Sequence, residues 1–136
     1  MARRWLAAAA FLCLCAVCVR AQAAGREVKA VAGKEVRVAI YTNIRPDCTS
    51  GPLPTIRLAV APKHGAVKVK RGTLKATNFK QCLAAEVPVF VAFYRAADGF
   101  SGADEFALEI VWTGGRKELQ VYRVSIAGER GAGQGI

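Results

Sequence analysis

The sequence predicts an all-β fold built as two packed antiparallel sheets. Three observations carry this. Apolar and polar residues alternate from Val28 onward. No stretch shows the i, i+3, i+4, i+7 recurrence of an amphipathic helix, and turn signals rich in Gly and Pro separate the alternating runs at the short intervals of a β-sandwich. The chain has 136 residues, 53% apolar and 22% charged. That suits one small domain with a core, and it excludes a disordered chain or a two-domain catalytic architecture.

The first 23 residues read as a secretory signal peptide. Arg3 and Arg4 precede a continuous apolar run from Trp5 to Val19, about 15 residues and so shorter than the roughly 20 that a membrane span needs. Ala21-Gln22-Ala23 supplies small residues at the two positions a signal peptidase reads, which places cleavage after Ala23. A lipid anchor on Cys18 would want a small residue where Val17 stands. The expected product is a periplasmic or secreted domain over 24–127, followed by a disordered Gly-rich tail over 128–136.

Cleavage removes Arg3, Arg4 and Arg20 from the 20 basic residues, leaving 17 against 10 acidic ones, a net charge of +7. It also removes Cys13, Cys15 and Cys18, so Cys48 and Cys82 remain. Two cysteines in an oxidising compartment most simply pair. A metal site is disfavoured because the spacing is not Cys-x-x-Cys and His64 is the single histidine.

Taken in order, Val36, Val38 and Ile40 should face inward, with Glu35, Arg37 and Ala39 outward. The segment 44–54, with Pro46, Cys48, Gly51, Pro52 and Pro54, reads as a long ordered loop tied down by its cysteine. Ile56, Leu58 and Val60 form the next inward row. Pro62-Lys63-His64-Gly65 turns the chain into a strand with Val67 and Val69 inward and Lys68 and Lys70 on a cationic outer face. Residues 87–94 are apolar on both faces and should run inside the sheet, with Phe93 in the core. Phe106, Leu108, Ile110 and Trp112 follow as an inward row opposite Glu105 and Glu109. Gly114-Gly115 reads as a two-residue hairpin needing positive φ. In the last strand Leu119 and Val121 are out of phase with Tyr122, Val124 and Ile126, which predicts a bulge near Val121.

Two segments, Pro62-Lys63-His64-Gly65-Ala66-Val67 and the run from Tyr94 through Gly99-Phe100-Ser101-Gly102-Ala103-Asp104-Glu105-Phe106, together resemble the bacterial cadherin-like and Ig-like repeats of extracellular proteins. The resemblance spans Pro62 to Ile126. It implies a Greek-key, Ig-like β-sandwich of about seven strands, with Gly99 and Gly102 at a tight corner, Phe100 plugging the end of the core and Asp104 bonding backbone amides of the corner. The chain departs from the family in being a single copy, in having Ala96 where Pro is usual and in carrying a cysteine pair. Asp98, Asp104 and Glu105 do not make the six- to eight-oxygen cage that calcium needs.

Catalytic chemistry finds little to stand on. His64 sits in a turn without a partner nucleophile, and Ser50, Ser101 and Ser125 lack a Gly-x-Ser-x-Gly elbow. Glu105 and Glu109 would stand roughly 13 Å apart along a strand, too far for glycosidase carboxylates. No enzyme and no cofactor are expected. The charge pattern is the feature above background: Arg57, Lys63, Lys68, Lys70, Arg71, Lys75 and Lys80 follow one another with no acid among them, while Asp98, Asp104, Glu105 and Glu109 form a run with no base. Lys68, Lys70, Arg71 and Lys75 are the candidate anion-binding residues, the last two placed in the turn after the strand. Nucleic acid is disfavoured by export and by the lack of an aromatic stacking platform beside the lysines. The expectation is an exported non-catalytic binding or structural module whose basic face meets an anionic envelope polymer or an acidic protein. The alternative is an exported inhibitor or accessory subunit of an envelope enzyme that presents the loop around Cys48.

Overall fold

The computed structural model describes residues 25–75, 82 and 86–128. The signal segment, Lys80 and the tail beyond Gly128 lie outside the described residues. Seven strands make two sheets: β1 (Arg26–Val31), β2 (Glu35–Tyr41), β3 (Thr55–Val60), β4 (Gly65–Lys75), β5 (Glu86–Ala96), β6 (Gly102–Val111) and β7 (Lys117–Ala127). The strand orders are β1-β7-β6-β3 and β2-β5-β4, and no helix interrupts the described residues. The arrangement is a sandwich consistent with an Ig-like fold. One pairing departs from the expected antiparallel scheme, because β1 runs parallel to β7. No hairpin joins these two strands: β1 leads straight into β2 of the other sheet, so nothing constrains the pair to be antiparallel.

A stack of three rings fills the middle of the core. Phe106 lies between Tyr94 and Tyr122, with ring centroids 5.5 Å and 4.8 Å apart and near-parallel planes. Tyr94 comes from one sheet and the other two from its partner, so the stack ties the layers together. Leu108, Ile110 and Val124 are buried beside it as expected. Phe93 is not. It lies between the fully buried Ala92 and Tyr94 but on the opposite, outer face. Because both phases of 87–94 are apolar, alternation alone cannot choose between them. Arg95 decides, since a charged side chain has to face water and residue 93 shares its face. Tyr94 can turn inward because its hydroxyl donates to Asp104 Oδ2 at 2.8 Å.

The other corrections follow the same logic. No bulge occurs near Val121, and β7 keeps unbroken register with both neighbours. Its inward row is Gln120, Tyr122, Val124 and Ile126, while Leu119 points out and is 60% exposed. Gln120 can be buried because its Oε1 accepts from Tyr41 Oη at 2.7 Å and Tyr122 Oη at 2.8 Å, and its Nε2 donates to Glu118 at 3.0 Å. Burial pushes the Tyr41 hydroxyl well above its ordinary pKa, reinforced by Tyr122 beside it. The bulges fall instead in β2, between Arg37 and Ala39, and in β3, between Leu58 and Val60. After the first, Tyr41 is buried and Ile40 is turned outward. Leu58 and Val60, expected inside, are 46% and 53% exposed because β3 is an edge strand. The β6–β7 hairpin closes one residue wider than expected. Trp112 N donates to Arg116 O, and Gly114 and Gly115 supply φ of 100° and 89°.

The disulfide Cys48–Cys82 is present, with a Cα separation of 5.1 Å. The loop it anchors is ordered by its own ladder. Arg45 N donates to Thr49 O, Gly51 N to Asn43 O, and Thr49 donates through N and Oγ1 to Asp47 Oδ1. Those two bonds from Thr49 hold the Asp47 carboxyl below its usual pKa.

Candidate anion-binding face

The outer face of β2-β5-β4 is built by register. Arg37 lies across from Phe93, and Phe93 from Lys68; Glu35 lies across from Arg95, and Lys70 from Val91. Phe93 is therefore flanked by Arg37 and Lys68 on the neighbouring strands, with Arg95 two residues along. Lys70 crosses the middle strand: its Nζ stands 4.8 Å from the Phe93 ring centroid and donates to Glu35 Oε1 at 2.9 Å. The aromatic that the sequence placed in the core thus sits among the lysines, with Lys70 over its ring.

Lys68 and Lys70 share the face expected of them. Arg71 and Lys75, expected in a turn, belong to β4 itself, whose register against β5 runs unbroken to Lys75↔Glu86. By strand parity they project to the opposite side from Lys68 and Lys70. Arg71 lines a cleft with Ile56, Val69 and Phe90 at the side of the sandwich. The structure therefore divides the four proposed cations into two pairs. It adds two that sequence reading passed over, Arg37 and Arg95. The signal for them was available, because each lies at a polar position within an alternating run.

One end of this face is rigid. A shallow cleft of about 590 Å³ is lined by Lys63, His64, Lys68, Phe93, Arg95 and Glu35, among others. Its floor, the turn from β3 to β4, is held by Asp104. Oδ1 accepts from the amides of Lys63 (3.0 Å) and Glu105 (2.9 Å), and Oδ2 accepts from the amide of His64 (3.0 Å) and from Tyr94. Burial would raise this carboxyl, but the four donors outweigh it and keep it below its usual pKa. Burial, reinforced by the same contact with Asp104, pushes the Tyr94 hydroxyl up. The corner that Asp104 bonds is thus the one at Lys63-His64 and not the Gly99–Gly102 loop. Phe100 packs partly against the core and stacks on His64 at 4.0 Å. Gly65 completes the corner, since a Cβ there would lie 2.5 Å from Arg95 O and 2.7 Å from Tyr94 Oη.

Of the acidic run, Asp98 pairs with Arg95 at 4.0 Å, while Glu105 and Glu109 pair on the other sheet. Glu109 faces Arg57 and Glu105 faces Arg123 across strand pairs, each at 4.0 Å, and Glu27 is also in register with Arg123. The outer face of the four-stranded sheet is thus a mosaic of both signs. That of the three-stranded sheet carries Arg37, Lys68, Lys70 and Arg95 against Glu35 and, at its end, Asp98 beside Arg95. Lys68 makes no ion pair among the described residues. No group of three or more His, Cys, Asp or Glu among the described residues is placed to hold a metal ion, and no described helix is long and apolar enough to cross a membrane. Comparison with protein families, curated proteins and solved structures finds no match for the chain.

Proposed function

We propose that the chain is an exported, non-catalytic binding module that engages an anionic partner through the outer face of β2-β5-β4. The observation that carries the reading is the cluster of Arg37, Lys68 and Arg95 around Phe93, with Glu35 already engaged by Lys70 and the exposed Asp98 set against Arg95 alone. A flat sheet holds these cations at fixed spacings of about 5 Å across strands and 6–7 Å along them. Repeating carboxylate, sulfate or phosphate groups of a polymer can therefore meet several at once without ordering a loop. Export rests on the signal segment and on the disulfide, which suits an oxidising compartment. The cadherin-like resemblance supports the same class of extracellular module.

The test is binding of dextran sulfate by the oxidised mature protein. Affinity should be measurable at low ionic strength and fall steeply as salt shortens the Debye length to about 8 Å. The triple reversal Arg37→Glu, Lys68→Glu, Arg95→Glu should abolish it with little change in melting temperature, because exposed charges contribute little to stability. Binding that survives the reversal would refute the reading.

A further inference from the structure

The sandwich is open along one side. β3 and β4 follow each other in the chain but end different sheets, and among the described residues each is an edge strand with a free side. On that side, some residues that point inward are left partly open by the other described residues. Leu58 is in register with the buried Leu108, and Val69 with the fully buried Ala92, so both face the space between the sheets. Yet they are 46% and 41% exposed. Ile56, Val69 and Arg71 line a cleft of about 600 Å³ that separates the two edges.

The two edges are not equivalent. β3 has six residues and is bulged between Leu58 and Val60, the kind of irregularity that blunts an edge. β4 has 11 residues in unbroken register with β5, so its free side presents a long, regular row of backbone donors and acceptors. It carries Lys68, Lys70, Arg71 and Lys75 and no acid. A second copy of β4 would set lysine against lysine, which is unfavourable for directly opposed side chains. An acidic strand would set opposite charges together.

We infer that the free edge of β4 accepts an extended acidic segment of a partner protein as an added strand. Alternate acidic side chains meet Lys68 on the outer face, Lys70 being turned across β5 to Glu35, and the intervening apolar side chains cover Val69 and Leu58 in the seam. The main-chain ladder supplies affinity, and the alternation supplies specificity. This deepens the proposed function and rests on it only for the sign of the partner's charge. The edge and the seam are independent of it.

The probe is an acetylated, amidated octapeptide alternating Val and Glu, measured by fluorescence anisotropy against the oxidised mature protein. It should bind at least tenfold more tightly than a block peptide of four Val and four Glu. N-methylation of the amides in one alternating set should cost at least tenfold, and in the other set little, because only one set faces the β4 edge. Val69→Lys should weaken the octapeptide at least tenfold while leaving dextran sulfate binding equal or tighter. The inference is overturned if the octapeptide does not bind, if the block peptide binds equally, or if both N-methylated sets behave alike. In each of those cases dextran sulfate binding separately decides whether the basic face itself binds anions.

Discussion

Asp104 is the residue on which the architecture of the β3–β4 corner depends, and Asp104→Asn isolates its charge at nearly constant shape. The carboxylate accepts four bonds, two at each oxygen. With the amide oxygen in the Oδ1 position, Lys63 N and Glu105 N keep an acceptor. The new NH2 then faces the His64 amide donor to donor, while Tyr94 can rotate to accept. One buried N–H is orphaned, at about 1–3 kcal/mol, and the bonds that remain lose their charge assistance. The expected loss is about 2–4 kcal/mol, or roughly 10–20 °C in melting temperature for a domain of about 100 residues. The pH dependence has a definite sign. Asp104 has a folded pKa below its ordinary 3.8. Its contribution is therefore fully present above the unfolded value and is lost as pH falls through the folded one. Urea denaturation of wild type and Asp104→Asn should show a gap that is constant from about pH 7 to 5 and closes progressively below pH 4. A gap under 0.5 kcal/mol at neutral pH, or one that does not narrow in acid, would refute the account of the corner.

Two further perturbations test the frame around the site. Replacing Cys48 and Cys82 by Ser opens a loop spanning 34 positions; about 4 kcal/mol of stability should be lost in the chain-entropy model, read as a drop in the urea midpoint that reductant reproduces on wild type and does not deepen in the variant. Gly65→Ala would push a methyl onto Arg95 O and Tyr94 Oη. It should cost about 1–3 kcal/mol by overpacking, and calorimetry showing no loss would mean that the corner relaxes freely.

Strand existence was legible because alternation is a local property, although β4 runs on through Arg71 to Lys75, where the sequence read as a turn. Phase was legible only where a charge anchored it. Arg57 and Arg123 each sit outward with apolar neighbours inward, but 87–94 carries no charge, so nothing within the run fixed the side of Phe93. Reading the run on to Arg95 would have reversed that assignment and moved Phe93 from the core into the candidate site. The last strand misled for the complementary reason. Gln120 is polar and Leu119 apolar, so the pattern suggested a bulge. Two tyrosine hydroxyls from β2 and β7 give Gln120 its partners, and Tyr41 lies 79 positions away in sequence.

The open seam is a different kind of property, and no improvement in local reading would have found it. Alternation says that Leu58 and Val69 face inward, which is correct. Whether an inward face is covered depends on sheet order, and here two strands joined by a crossover of only four residues, 61–64, became edges of different sheets. Asp104 pins the turn at Lys63-His64, where the chain passes from β3 in one sheet to β4 in the other. The same carboxylate thus borders both the cationic corner and the adjoining seam. A destabilised corner should loosen both, while a change confined to the exposed side chain of Val69 should affect the seam alone.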